Sequence, residues 1–280
     1  MMKSKTATGE RLTDVLEELT GDDRVVTRHK VGHLYLIGLN RVAKRNAFDL
    51  QMRTELSLAH AEMEADDDVR VSVFYAHGDH FTGGLDMAQV GNALREGKGG
   101  LPAGAMDPRQ LAGPRHTKPV ISAVQGWCLT FGIELLLATD IRVAAEDAVF
   151  SQMEVSRGIY PFGGATIRFP REVGWGNAMR YMLTGDRFDA AEALRIGLVQ
   201  EVVPTGQQLH RAVQIAETIA RQAPLGVSTT LRSAQLAQRE GEAAAAAHLI
   251  PDMVQLLDTA DGAEGLVSFL ERRPANFTGR

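Results

Sequence analysis

Between Val25 and Ala145 the chain alternates short apolar, β-branched runs with stretches of helical periodicity, and this alternation restricts it to an α/β architecture. Arg24 to His29 and Leu34 to Leu39 read as strands joined by a hairpin turn at Lys30-Val31-Gly32-His33. Asp49 is placed to cap a helix running to about Ala65, with Met52, Leu56, Leu58, Ala59 and Met63 on its buried side. Val69 to Ala76 is a buried strand, followed by a glycine-rich loop and a helix through Met87, Val90 and Leu94. Residues 97–105 carry four glycines and a proline and are expected to be mobile. Pro119 to Val124 is the next strand, Phe131 to Ala138 a short apolar helix, and Asp140 to Ala145 a further strand.

After residue 165 the pattern changes. Trp175 to Leu183 and Ala190 to Ile196 read as helices, the second introduced by Asp189 with Glu192 three residues on, a capping-box spacing. Gln200 to Val203 is a short strand, and from Gln207 onward nearly everything is helical. The expected organisation is an appendage over 1–22, a strand-rich core over 23–205 and a helical C-terminal region over 206–280. In the appendage Leu12, Val15, Leu16 and Leu19 recur at helical spacing.

Composition excludes several classes. A net charge of −5 argues against a nucleic-acid partner. No apolar stretch approaches the ~20 residues of a membrane span. The single cysteine, Cys128, forms no internal disulfide and anchors no zinc cluster, which suits a reducing compartment; the cytoplasm is the expected location. His77 and His80 lack a metal-binding motif around them and read as loop residues.

Two glutamates stand out. Glu134 is followed directly by Leu135-Leu136-Leu137, in an otherwise apolar helix where an unpaired carboxylate is rare. A first-turn glutamate that merely complements the helix dipole is the plain alternative. Glu154, between Met153 and Val155, is the weaker signal; taken alone it reads as a solvated side chain with Arg157 as a salt-bridge partner. Glycine-containing backbone lies near both, in Phe81-Thr82-Gly83-Gly84-Leu85-Asp86, Gly126 to Gly132, and Pro161-Phe162-Gly163-Gly164. The first two runs each join a strand to a helix. The N–H groups of Leu85 and Phe131 would there be free donors at helix starts, although a tight turn explains glycines equally well. Two carboxylates facing such amides are equipment for moving protons beside a thioester carbonyl.

At this point the chain resembles the crotonase, or enoyl-CoA hydratase/isomerase, family from about Val25 to its end. Leu39-Asn40-Arg41 with Asn46-Ala47 is similar to the family's LNRP…NA signature, and Phe81 to Asp86 to its oxyanion loop. Gly126 to Asp140 resembles its glycine-rich helix start, Leu183-Thr184-Gly185 with Gly197-Leu198-Val199 its LTG…GLV segment, and Phe269 to Arg273 its tail. The resemblance implies a spiral core of ββα turns with C-terminal helices that trimerise, in a homotrimer or dimer of trimers. It implies an acyl-CoA thioester substrate, no cofactor beyond the coenzyme A of that substrate, no metal, and no nucleic-acid or membrane partner. Glu134 and Glu154 take the catalytic positions, Glu154 as proton donor and Glu134 as activator of water. The Leu85 and Phe131 N–H groups take the oxyanion positions. The substrate-contacting set is Arg45, near a CoA phosphate, with Ala47, Gly83, Gly84, Asp86, Met87, Tyr160 and Phe162. The expected reaction is reversible hydration of a 2-enoyl-CoA. Double-bond isomerisation, thioester hydrolysis and inert ester binding are the alternatives.

The chain departs from the family pattern in places. Phe131 stands where glycine is common, Val42 and Met153 replace prolines, and Pro161-Phe162-Gly163-Gly164 differs from Pro-Gly-x-Gly.

Overall fold

The structure, a computed structural model, describes residues 23–98 and 100–280. The helix expected within 1–22 lies outside the described residues. In chain order the elements are β1 (Val26–Val31), β2 (Leu34–Leu39), α1 (Leu50–Ala65), β3 (Val71–Ala76), α2 (Met87–Arg95), β4 (Val120–Val124), β5 (Trp127–Leu129) and α3 (Phe131–Leu136). There follow β6 (Ile141–Ala145), β7 (Val149–Ser151), α4 (Ala165–Val173), α5 (Trp175–Thr184), β8 (Arg187–Asp189), α6 (Ala190–Arg195) and β9 (Glu201–Val203). The chain closes with α7 (Gln208–Ala220), α8 (Pro224–Glu240), α9 (Glu242–Leu257) and α10 (Ala260–Glu271).

Six strands form one sheet in the order β1-β2-β3-β4-β6-β9, and β5-β7-β8 form a second. The α/β class read from the sequence holds. β1 and β2 pair antiparallel through a turn of only two residues, Gly32 and His33, tighter than the four expected. From β2 to β9 all neighbours are parallel. The loops leaving the C-terminal ends of β2, β3 and β4 therefore emerge side by side at one edge, which is where an open parallel sheet builds a site.

Side chains alternate across the sheet. Ile37 and Phe74 face a core shared with α1, α3, α4 and α5, while Leu36 and Val73 face α7. Ala212, Val213 and Ala216 of α7 pack on that second face, so α7 covers the sheet although it lies in the C-terminal helical part of the sequence. Asp49 caps α1 by accepting the Met52 N–H at 2.8 Å. Leu58 is only half-buried on this helix; His60 turns inward instead and stacks on His116.

β5, β7, β8 and α4 have no counterpart in the elements expected from the sequence. Three-residue strands are too short to display a period of two, and α4 holds Pro170 in its interior, where proline removes a helix donor. At α6 the Asp189 carboxylate accepts the Glu192 N–H at 2.8 Å, but Glu192 binds Tyr181 and Arg195. Only the first half of the capping box is therefore in evidence. No helix among the described residues is long and apolar enough to cross a membrane.

Candidate active site

Three loops meet at the sheet edge. Gly83 N–H donates to the Arg45 carbonyl, Phe48 N–H to the Gly84 carbonyl, and Asp86 N–H to the Phe48 carbonyl, each at 2.8 Å. This is a single parallel bridge between Phe48 and Leu85. In that pattern the partners flanking Leu85 carry the pairing, and the N–H of Leu85 itself is left pointing away. Phe131 opens α3, where the helix offers no acceptor for its N–H. Neither N–H donates a hydrogen bond among the described residues.

The two loops touch. A Cβ on Gly84 would stand 2.1 Å from Thr130 Oγ1, and Gly84 has a φ of +96°. Thr130, the residue before Phe131, has φ 50° and ψ −111°, a costly conformation for a β-branched side chain. It is held there by its N–H, donated to Ser151 at 2.8 Å. The strain sits between the two free amides.

Glu134 lies one turn into α3 and is 2 % exposed. Its Oε1 accepts the N–H of Gly163 at 2.6 Å and of Ala165 at 3.2 Å. The backbone after Phe162 thus serves Glu134, through the Gly163 and Ala165 amides. Burial raises the Glu134 pKa, while the Ala165 and Gly163 amides and the charge of Arg109 restrain the rise.

Glu154 opens a 3₁₀ turn, Glu154–Arg157, and is 6 % exposed. The solvated, Arg157-paired alternative fails: Arg157 is exposed and forms no ion pair with it. The Gln152 amide is fully buried and fits its neighbours in one orientation. With its nitrogen toward Glu154 it donates to Oε1 at 2.9 Å, to Oε2 at 3.1 Å and to the Thr130 carbonyl at 3.3 Å. Burial pushes the Glu154 pKa up to about 7, with the Glu134 charge adding to it. The Gln152 hydrogen bonds favour the ionised form and act against that rise. The two carboxylates are therefore electrostatically linked and differ in surroundings, Glu134 held by two backbone amides and Glu154 by the Gln152 side-chain amide.

A cavity of about 330 Å³ adjoins both free amides, walled by Leu85, Val90, Leu94, Phe131 and Phe162, with Gly97 and Gly100 at its rim. The Phe131 ring packs edge-on against Phe48 at 5.0 Å, which accommodates it beside the cavity. Arg53 and Arg109 also line this space. No sequence signal marked them, since Arg53 follows a buried methionine on α1 and Arg109 sits in a loop.

The remaining expected contacts scatter. Arg45 is exposed, with its guanidinium 4.8 Å from the Trp127 ring. The Asp86 carboxylate is tied to Arg41, which also bridges Asp49, so its charge is already paired. The Ala47 carbonyl accepts from the same Arg41. Met87 is 43 % exposed on α2. Tyr160 is 62 % exposed and off the cavity wall, unlike Phe162. Gln152 was missed by the sequence reading. The only hint was its place two residues before Glu154.

A family model described as enoyl-CoA hydratase/isomerase matches residues 30–280. The chain belongs to that family. Among relatives of the family, enoyl-CoA hydratase EchA19 of Mycobacterium tuberculosis is 35 % identical over 268 residues, covering 93 % of this chain and 98 % of that protein. The 2,3-dehydroadipyl-CoA hydratase of Escherichia coli is 31 % identical over 259 residues, covering 91 % and 98 %. In three dimensions the chain is similar to a "probable enoyl-CoA hydratase/isomerase" from Mycobacterium abscessus, with a TM-score of 0.90 and 53 % identity over 92 % of this chain and 100 % of that one. An enoyl-CoA hydratase from M. tuberculosis H37Rv gives a TM-score of 0.84 at 30 % identity, with the same coverage. The fold of this family member is thus the crotonase fold expected from its motifs.

Proposed function

We propose that this family member reversibly hydrates 2-enoyl-CoA thioesters, with Glu134 and Glu154 as its catalytic residues. The reading rests on one observation: Glu134 and Glu154 are both buried, close enough for the charge of one to raise the pKa of the other, and held by different hydrogen-bond donors. The names of the curated hydratases above support the same reaction.

In this scheme the thioester oxygen accepts the N–H groups of Leu85 and Phe131. Negative charge gathers on that oxygen as water adds at Cβ, and losing one such donor typically costs ~10²–10³ in rate. Glu134, whose Oε1 accepts the Gly163 and Ala165 amides, takes a proton from the water. Glu154, whose pKa burial pushes up to about 7, delivers a proton to Cα. Each step balances: the water supplies hydroxyl to Cβ and a proton to Glu134, and Glu154 supplies the proton to Cα. No cofactor beyond the substrate's coenzyme A enters. The acyl chain runs into the cavity edged by Val90, Leu94 and Phe162.

Assembly is part of the proposal. Ile250 (73 % exposed) on α9 and Phe269 (78 %) on α10 belong to an apolar surface that also includes Leu257 and Leu266. Several exposed apolar side chains on two successive helices support a homotrimer or dimer of trimers formed through them. The single buried thiol, Cys128, supports a cytoplasmic setting.

Glu134→Gln and Glu154→Gln test the scheme. Each is expected to lower crotonyl-CoA hydration by ~10²–10⁴, as loss of a general acid or base does, while CoA-ester binding persists. Full activity in either variant overturns the two-carboxylate mechanism. Assaying 3-enoyl-CoA conversion and thiol release alongside separates hydration from isomerisation and hydrolysis.

A further inference from the structure

A second cleft, about 360 Å³, lies beyond the C-terminal end of α3, the end opposite Phe131. Its walls come from the segment 137–142 that follows α3, from α4, from the loop around Leu111 to Arg115, and from α8. Five arginines line it: Arg115, Arg142, Arg168, Arg171 and Arg239. Two carboxylates line the cleft with them, Asp140 and Glu172, and Arg239 is paired with Glu240 at 3.3 Å. A chain with net charge −5 therefore concentrates five arginines against three carboxylates in one concavity.

Several of these donors are not satisfied by the protein. Arg142 is 4 % exposed at its side chain; one Nη binds Glu172 at 2.8 Å and the other the Leu136 carbonyl at 3.3 Å. Its Nε is buried with no partner. A buried donor without an acceptor is rare in folded proteins and calls for a ligand or water to complete it. Arg115, half-buried, and Arg171 form no hydrogen bond or ion pair among the described residues. Burial and the neighbouring charges of Arg239 and Arg171 lower the Arg115 pKa, and burial with the Arg115 charge lowers that of Arg168. These cations repel one another across the cleft, and an anion between them would turn that repulsion into attraction. Arg168 is already oriented, its two Nη atoms donating to the Arg109 and Gln110 carbonyls at 2.5 and 3.1 Å.

We propose that this cleft is an anion-binding site, separate from the thioester site, for a phosphate-type ligand carrying two or more negative charges. Planar guanidinium forks match phosphate oxygens better than any other side chain does. At ~30 Å³ per water molecule the volume exceeds what a single phosphate needs, so a diphosphate fits. Free inorganic diphosphate and the diphosphate of a nucleotide share the required chemistry.

The test is calorimetric titration of the full chain with inorganic pyrophosphate and, separately, with ADP, at constant ionic strength. For pyrophosphate, saturable binding at one site per chain is expected, weakened at least tenfold in Arg115→Gln/Arg171→Gln and unchanged in Arg45→Gln; for ADP, the binding that survives in Arg45→Gln is the part read. The last control separates this cleft from a phosphate contact near Arg45. Which probe binds more tightly identifies the source of the diphosphate. Should Arg115→Gln impair folding, Arg171→Gln/Arg239→Gln, with both side chains exposed, carries the same test. Absence of saturable binding in the wild type, or equal affinity in the variants, overturns the proposal. So does a finding that the variants change only oligomeric state, which would assign the arginines to acidic side chains of a second copy.

Discussion

Gly163 donates its N–H to Glu134 Oε1 at 2.6 Å, and a Cβ at Gly163 would stand only 2.2 Å from Glu134 Oε2. Hydrogen bond and missing side chain together fix where the buried carboxylate sits. The backbone of Gly163 is not left-handed, so alanine there meets only a steric objection. Gly163→Ala is expected to displace the Glu134 carboxylate and lower kcat by about 10²-fold, the scale of a misplacement near 1 Å. The stability cost should stay at about 1–3 kcal/mol, typical of overpacking. Steady-state kinetics beside thermal unfolding measures both; an unchanged kcat would detach Gly163 from the chemistry.

Gly84 and Thr130 interlock in the same manner between the two free amides. Gly84→Ala combines a left-handed φ with a collision against Thr130 Oγ1 and should cost both stability and turnover. Removing the colliding atom should recover part of the loss. Gly84→Ala/Thr130→Ala is expected to be at least ~0.5 kcal/mol more stable than the sum of the two single changes, as contacting residues usually couple. Denaturant unfolding of all four proteins gives the coupling, and strict additivity would refute the contact.

Glu154 sets a pH dependence with a definite sign. Its folded pKa, about 7, stands above the ordinary carboxyl value of 4.5. As proton donor it works in its protonated form, so kcat/KM for hydration should fall as pH rises through about 7. The same shift makes the ionised carboxylate a burden on the fold. The stability tied to its protonation is complete below pH ~4.5 and lost as pH rises through about 7. Glu154→Gln should therefore be more stable than wild type at pH 8, by about 1–3 kcal/mol, read by thermal or denaturant unfolding. The gain should shrink toward pH 4.5. A variant less stable than wild type at pH 8 contradicts this account.

His60 and His116 form a buried stacked pair, with Nδ1 of the first 3.0 Å from Nε2 of the second. Burial pulls His116 down to about 4, and burial with the neighbouring His116 pulls His60 well below its usual value of 6.5. Both groups are neutral in the fold and take up protons on unfolding. Their contribution to stability is present above pH ~6.5 and lost as pH falls toward 4. Chemical denaturation between pH 7 and 5 should show stability declining with acidity, and His60→Leu/His116→Leu should flatten the decline. An equal slope in the variant would assign the acid sensitivity elsewhere.

Much of this molecule was legible before any contact was known. The strand–helix alternation, the Asp49 cap and the glycine loops after β3 and β4 depend on neighbours within a few residues, so the chain itself declares them. The burial of Glu134 also followed locally, from the leucines beside it. Glu154 was ambiguous for the opposite reason. Its immediate neighbours allow a solvated side chain, and its burial arises where the turn after β7 packs against other elements.

Tertiary structure decided what local sequence leaves open. The Leu85 N–H is free because a parallel bridge to Phe48, 37 positions earlier, engages the groups on either side of it. Glu134 is held by amides of Gly163 and Ala165, 29 and 31 residues away. Arg109 reaches the cavity wall and Arg115 the second cleft only through the path of one loop. Hydrogen-bond direction and electrostatic surroundings are properties of approach between distant segments. Residue order therefore names the chemical groups, while packing sets which face one another and which carry a proton.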